Sequence, residues 1–219
     1  MKMNLPTKIT FTRIIFIALM ILGLLTLEII SFINPTLIPS SLITYDVGGA
    51  KLNLVYLIVC GFFIIASATD WLDGYLARKN NQVTDLGKFL DPVADKLLVN
   101  CTIIFLCVPQ IYAEEQMAFP LFCAIFIIAR DIVVDMLRFM AAKKNVVIAA
   151  NIFGKLKTIF QMVTIPLVLL NDWPFSYFDS FLGEYFSVAH IFVYLTTLIS
   201  IVSGVIYVYQ YRKAFIDEK

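Results

Sequence analysis

Six long runs of apolar residues alternate with short polar breaks along this chain. They cover Thr10 to Ile33, Leu54 to Arg78, Asp91 to Val108, Met117 to Arg138, Leu156 to Leu170 and Val188 to Tyr211. A helix needs roughly 20 mostly apolar residues to cross a bilayer, so each run predicts a spanning helix. The third and fifth are short for this, and their helices are expected to extend into neighbouring polar residues. Asn34-Pro35 closes the first run and Asn171-Asp172-Trp173-Pro174 the fifth, because proline and asparagine favour turns over continued helix. The pattern predicts an all-α integral membrane bundle of six transmembrane helices, forming a single domain over residues 1–219. No repeat, low-complexity tract or appended water-soluble domain is visible.

Composition agrees with this reading. Of 219 residues 60% are hydrophobic and 15% charged, whereas a soluble domain is nearer half apolar and a quarter charged. The four cysteines, Cys60, Cys101, Cys107 and Cys123, lie in apolar runs without metal-ligand spacing and read as small buried hydrophobes. The first apolar run is too long for a cleavable signal peptide and lacks a small-residue cleavage site. A net charge of +1 says little about partners, and no nucleic-acid partner is expected. The placement of the charges is more informative. With the amino terminus inside, the inner segments hold Lys2, Lys8, Arg13, Arg78, Lys79, Lys88, Arg138, Lys143, Lys144, Lys155, Lys157, Arg212, Lys213 and Lys219. The outer loops hold only Lys51 among several acids. Basic residues favour the cytoplasmic side, so both termini are expected there.

Against this apolar background the segment from Asp70 to Asp95 places four carboxylates in two pairs. Asp70 and Asp73 are three apart, and Asp91 and Asp95 four apart, so on helices each pair shares a face. If the polar turn between them folds back, all four converge at the inner end of the second and third spans. Acids inside a membrane are costly and mark function. Four hard oxygen donors at one point call for a cation, and oxygen-only ligation suits Mg²⁺, Mn²⁺ or Ca²⁺. The competing reading makes Asp91 a helix cap and Asp70 and Asp73 interfacial acids, which leaves Asp95 and the paired spacing unexplained. Pro92 after Asp91 fits a helix first turn. Gly74 and Gly87 permit close approach of a ligand or of another helix. Arg78, at the end of the same helix as Asp73, could meet a phosphate or simply mark the inner side.

The arrangement Asp-x2-Asp-Gly-x2-Ala-Arg-x8-Gly-x3-Asp-x3-Asp, matched throughout from Asp70 to Asp95, resembles the signature of the CDP-alcohol phosphotransferase family. The resemblance implies six spanning helices around a cytoplasm-facing polar cavity. It also implies transfer of a substituted phosphate from a CDP-linked donor to an alcohol, with release of CMP and two divalent cations, Mg²⁺ or Mn²⁺, as cofactors. Asp70, Asp73, Asp91 and Asp95 would then be metal ligands, and Asp95 also the base that deprotonates the acceptor. Gly74, Arg78 and Thr84 would touch the CDP moiety. Thr7 and Thr10 lie where the family's amino-terminal segment approaches the cytidine, although threonine near a helix start also serves as a cap.

The other polar residues bear on the acceptor. Arg130 and Arg138 are eight apart on the fourth span, sharing a face about 12 Å apart along the axis. Asp131 and Asp135 could neutralise Arg130, and Asp135 could pair with Arg138. Alternatively Arg130 and Arg138, with Lys155 and Lys157, form a basic pocket for an anionic acceptor. Three stretches are similar to the family's bacterial phosphatidylglycerophosphate synthases: Asn4 to Arg13, Ala129-Arg130-Asp131 with Leu137-Arg138, and Gly154 to Thr158. That branch implies CDP-diacylglycerol and sn-glycerol 3-phosphate as substrates, a homodimer, and a bacterial plasma membrane with the active site on the cytoplasmic side. An inositol phosphate acceptor would need a basic pocket equally. A cation transporter built on the aspartate cluster is the alternative from another class. His190, Tyr207, Tyr209, Tyr211, Trp71 and Trp173 read as interfacial residues, although Trp71 could line the site, and Asp85 reads as a cap for the next helix.

Overall fold

A computed structural model describes residues 5–34, 37–39, 43–79, 85–113, 116–143, 152–178 and 187–212. Among the described residues there are six α-helices: α1 (Leu5–Ile33), α2 (Leu54–Lys79), α3 (Asp85–Cys107), α4 (Leu121–Lys143), α5 (Ile152–Leu169) and α6 (Val188–Tyr211). Each falls on one of the six apolar runs, with α4 starting at Leu121 rather than Met117. Three of them contain segments long and apolar enough to cross a membrane, Thr7–Ile33, Ile152–Leu169 and Val188–Tyr211.

Polarity is distributed as expected for a chain whose solvent is lipid. Phe32, Ile65, Leu121 and Ile152 point outward, while Ser200, Ser203, Thr164 and Thr196 are buried. The Thr164 and Thr196 hydroxyls meet at 2.7 Å between α5 and α6, as polar groups must pair where water is absent. The helices form two groups, α1–α2–α3 and α4–α5–α6, joined where α2 and α3 meet α5 and α3 meets α4. The apolar core runs along this seam through Phe63, Leu98, Ile103, Ile127 and Ile165.

Two features depart from the pattern-based expectation. The long first connection contains an antiparallel hairpin, β1 (Thr44–Val47) with β2 (Ala50–Asn53), in which Val47 pairs with Ala50. Its Gly48-Gly49 turn has φ of 60° and 92°, the positive values a two-residue hairpin needs. Asn53 then caps α2, accepting from the Val55 amide at 2.9 Å. The second departure is Pro92, which lies inside α3 rather than in its first turn, because the helix starts at Asp85, in line with the expected extension of the short third run into polar residues. Proline there removes one ladder hydrogen bond.

At the end of the bundle away from the acids, Asp172 accepts from the Val188 and Ala189 amides at 3.1 and 2.7 Å. This seats the start of α6 on the turn that closes α5. His190 bonds Ser187 at 2.9 Å there, consistent with the polar interfacial role expected of it.

Candidate functional site

A cavity of about 470 Å³ opens at the seam between the two helix groups. The second and third helices bring Asp70, Asp91 and Asp95 to it, and the fourth and fifth bring Arg130, Arg138 and Lys157. Residues assigned from sequence to two different tasks therefore line one space.

The acids are held from behind by α1. Thr10 donates to Oδ1 of Asp91 at 2.7 Å, and Arg13, one turn further along and itself buried, pairs with Asp70. Asp95 experiences Asp70 as a like charge, and Lys157 and Arg13 as opposite ones. Three hard-oxygen side chains facing a polar cavity fit a divalent cation and would not suit a soft metal. Among the described residues no three acids close into one ligand set. The side chains of Asp73, Gly74 and Arg78 lie outside the described ones, though the α2 backbone carrying them is helical through Lys79. Thr84 lies outside the described residues altogether.

The cationic side is built on a buried carboxylate. Asp131 accepts from Arg130 at 3.0 Å with one oxygen and from Lys157 at 2.7 Å with the other. All three groups are nearly enclosed, so the pairing offsets a desolvation penalty that each charge alone would suffer. Arg130 also donates to the Ser203 hydroxyl at 2.5 Å, which leaves Arg138 the more open guanidinium. Asp135 does not pair with Arg138, as its spacing allowed; it pairs with Lys96 of α3, because the facing helix brings a cation closer. Lys155 is exposed, and neither it nor Thr7 or Thr10 is among the described residues lining the cavity.

Tyr207 is not an interfacial aromatic. It is fully buried, with the Arg130 and Arg138 guanidinium carbons 5.7 and 5.4 Å from its ring centroid. Its hydroxyl accepts from Arg138 at 3.1 Å. Ring faces attract such cations, so α6 supplies a platform for both arginines. The close approach depends on Gly204: a Cβ there would stand 2.8 Å from Cγ of Arg130. Sequence reasoning missed this platform, although Ser203, Gly204 and Tyr207 share one face of the last span at helical spacing.

Comparison with known proteins identifies the family. Residues 3–202 match the CDP-alcohol phosphatidyltransferase family. A Bacillus subtilis protein named CDP-diacylglycerol–glycerol-3-phosphate 3-phosphatidyltransferase is 36% identical over 92% of this chain and 91% of its own length. A Mycoplasma genitalium protein of the same name is 36% identical over 80% of this chain and 74% of its own. An Oryza sativa protein named cardiolipin synthase (CMP-forming) is 41% identical over 51% of this chain and 36% of its own. With the family's pattern matched over nearly its whole length, this membrane protein belongs to the CDP-alcohol phosphatidyltransferases.

Proposed function

We propose that this chain transfers the phosphatidyl group of CDP-diacylglycerol to sn-glycerol 3-phosphate, giving phosphatidylglycerophosphate and CMP. The observation that carries the reading is the union, in one cavity, of the Asp70, Asp91 and Asp95 carboxylates with Arg130, Arg138 and Lys157. An acceptor bearing a phosphate needs both, a base for its hydroxyl and cations for its charge.

Asp70, Asp73, Asp91 and Asp95 are the residues that would hold two divalent ions, Mg²⁺ or Mn²⁺. When bound, such ions neutralise the donor's pyrophosphate and the charge gathering on departing CMP. Thr10 fixes the rotamer of Asp91 and Arg13 that of Asp70, so both carboxylates are oriented before substrate arrives. Gly74, Arg78 and Thr84, with Thr7 and Thr10 nearby, make up the proposed CDP side. Arg138 and Lys157, with Arg130 behind, hold the acceptor phosphate so that its primary hydroxyl lies by Asp95. Lys155, outside the cavity, serves as a surface cation on the approach. Asp95 takes the hydroxyl proton as the new oxygen–phosphorus bond forms, and the bond between the phosphatidyl phosphorus and the bridging oxygen breaks to release CMP.

All six helices are read as membrane spans, with the cavity facing the cytoplasm of a bacterial cell on the side where lysine and arginine gather. A homodimer is the proposed active unit, and cross-linking in native membranes tests it. Purified protein, supplied with CDP-diacylglycerol and Mg²⁺ or Mn²⁺, should release CMP with glycerol 3-phosphate. CMP release only with an inositol phosphate would replace the acceptor assigned here. Ion flux without CMP would replace the enzyme with a transporter.

A further inference from the structure

Gln161 stands one turn beyond Lys157 on the same face of α5, and both line the cavity. The residue is only 3% exposed, yet its side-chain nitrogen has no hydrogen-bond partner among the described residues. Buried amides are paired in folded proteins because an unpaired one has given up its hydration without compensation. Because Gln161 lines the cavity, a turn of its amide brings the unpaired nitrogen to a ligand that enters there.

The surroundings narrow what that is. Lys157 is matched to Asp131 and Lys96 to Asp135, and the Thr158 hydroxyl donates to the Gly154 carbonyl at 3.2 Å. Val99 and Met162, which share this part of the lining, are apolar. An uncharged amide with two donor hydrogens and an acceptor oxygen suits a neutral hydroxyl, which both gives and takes a hydrogen bond. Phosphate is better served by the arginines. We propose that Gln161 binds the hydroxyl of the acceptor that does not react, so that the enzyme selects a polyol phosphate over a simple hydroxyalkyl phosphate. This rests on the acceptor assigned above.

The test compares sn-glycerol 3-phosphate with 3-hydroxypropyl phosphate, the same molecule without its secondary hydroxyl, using the full chain and CDP-diacylglycerol. The wild type should favour glycerol 3-phosphate by about tenfold or more in kcat/KM, since a site built for a hydroxyl rejects the analogue lacking it. Gln161→Leu should lower kcat/KM for glycerol 3-phosphate by that factor and leave the deoxy analogue unchanged, bringing the ratio near one. Gln161→Met, closer in length, serves if the leucine variant does not accumulate. Equal slowing of both alcohols would assign Gln161 to packing, and a wild type indifferent to the missing hydroxyl would assign its amide to water; either overturns the proposal. CMP release with neither alcohol would instead overturn the acceptor reading on which it rests.

Discussion

Gly204→Ala tests the α6 platform with little chemical change. The added Cβ would lie 2.8 Å from Cγ of Arg130, whereas carbon atoms rest about 3.5–4.0 Å apart. Arg130 must therefore move by about 1 Å. Its 2.5 Å bond to Ser203 and 3.0 Å bond to Asp131 are both stretched by such a move. Overpacking of this kind costs about 1–3 kcal/mol, and replacing a helical glycine returns about 0.5–1 kcal/mol, so a net loss of about 1–2 kcal/mol is expected. Gly61→Ala is the control, because nothing lies within 4 Å of a Cβ there; it should be neutral or slightly stabilising. Thermal unfolding in detergent reads the stability, and the acceptor KM should rise several-fold in Gly204→Ala while the CDP-diacylglycerol KM stays put. In an Arg130→Ala background the same substitution should cost nothing, since the clashing atom is gone. A loss just as large in that background would refute the steric argument.

The other predictions concern charge. Asp131→Ala leaves Arg130 and Lys157 buried without their shared carboxylate and should destabilise the fold by about 3–5 kcal/mol; an unchanged unfolding temperature would contradict the pairing. Arg138→Ala and Lys157→Ala should raise the acceptor KM by about tenfold with the donor KM little altered, as steady-state CMP release in both substrates would reveal. Asp95→Asn should abolish turnover while CDP-diacylglycerol binding persists, and measurable turnover would remove its role as base. Thr10→Val frees the Asp91 rotamer and should lower kcat by about tenfold without unfolding the protein.

Much of this was legible from residue order alone. Apolar length marked all six helices, and helical periodicity put Asp91 and Asp95 on one face, while a folded-back turn between α2 and α3 was needed to bring Asp70 to them. What escaped is pairing between helices. Arg13 read as an inner-side cation and Tyr207 as an interfacial ring because the charge pattern puts both near the expected inner end of a span. Their partners, Asp70 on α2 and the arginines on α4, are decided by how each helix is rotated against its neighbours, and no period within one helix encodes that. The same holds for Asp135, whose own helix offered Arg138 while α3 supplied Lys96.

On the proposed reading, the aspartates of α2 and α3 hold divalent ions where the donor's pyrophosphate binds. Counting Mn²⁺ bound to the purified protein by electron paramagnetic resonance, with and without CDP-diacylglycerol, reads that occupancy. Two ions per chain in the presence of the lipid, with Asp91→Asn and Asp70→Asn each losing occupancy, is the predicted result. Binding that is absent, or that survives both substitutions unchanged, would contradict it.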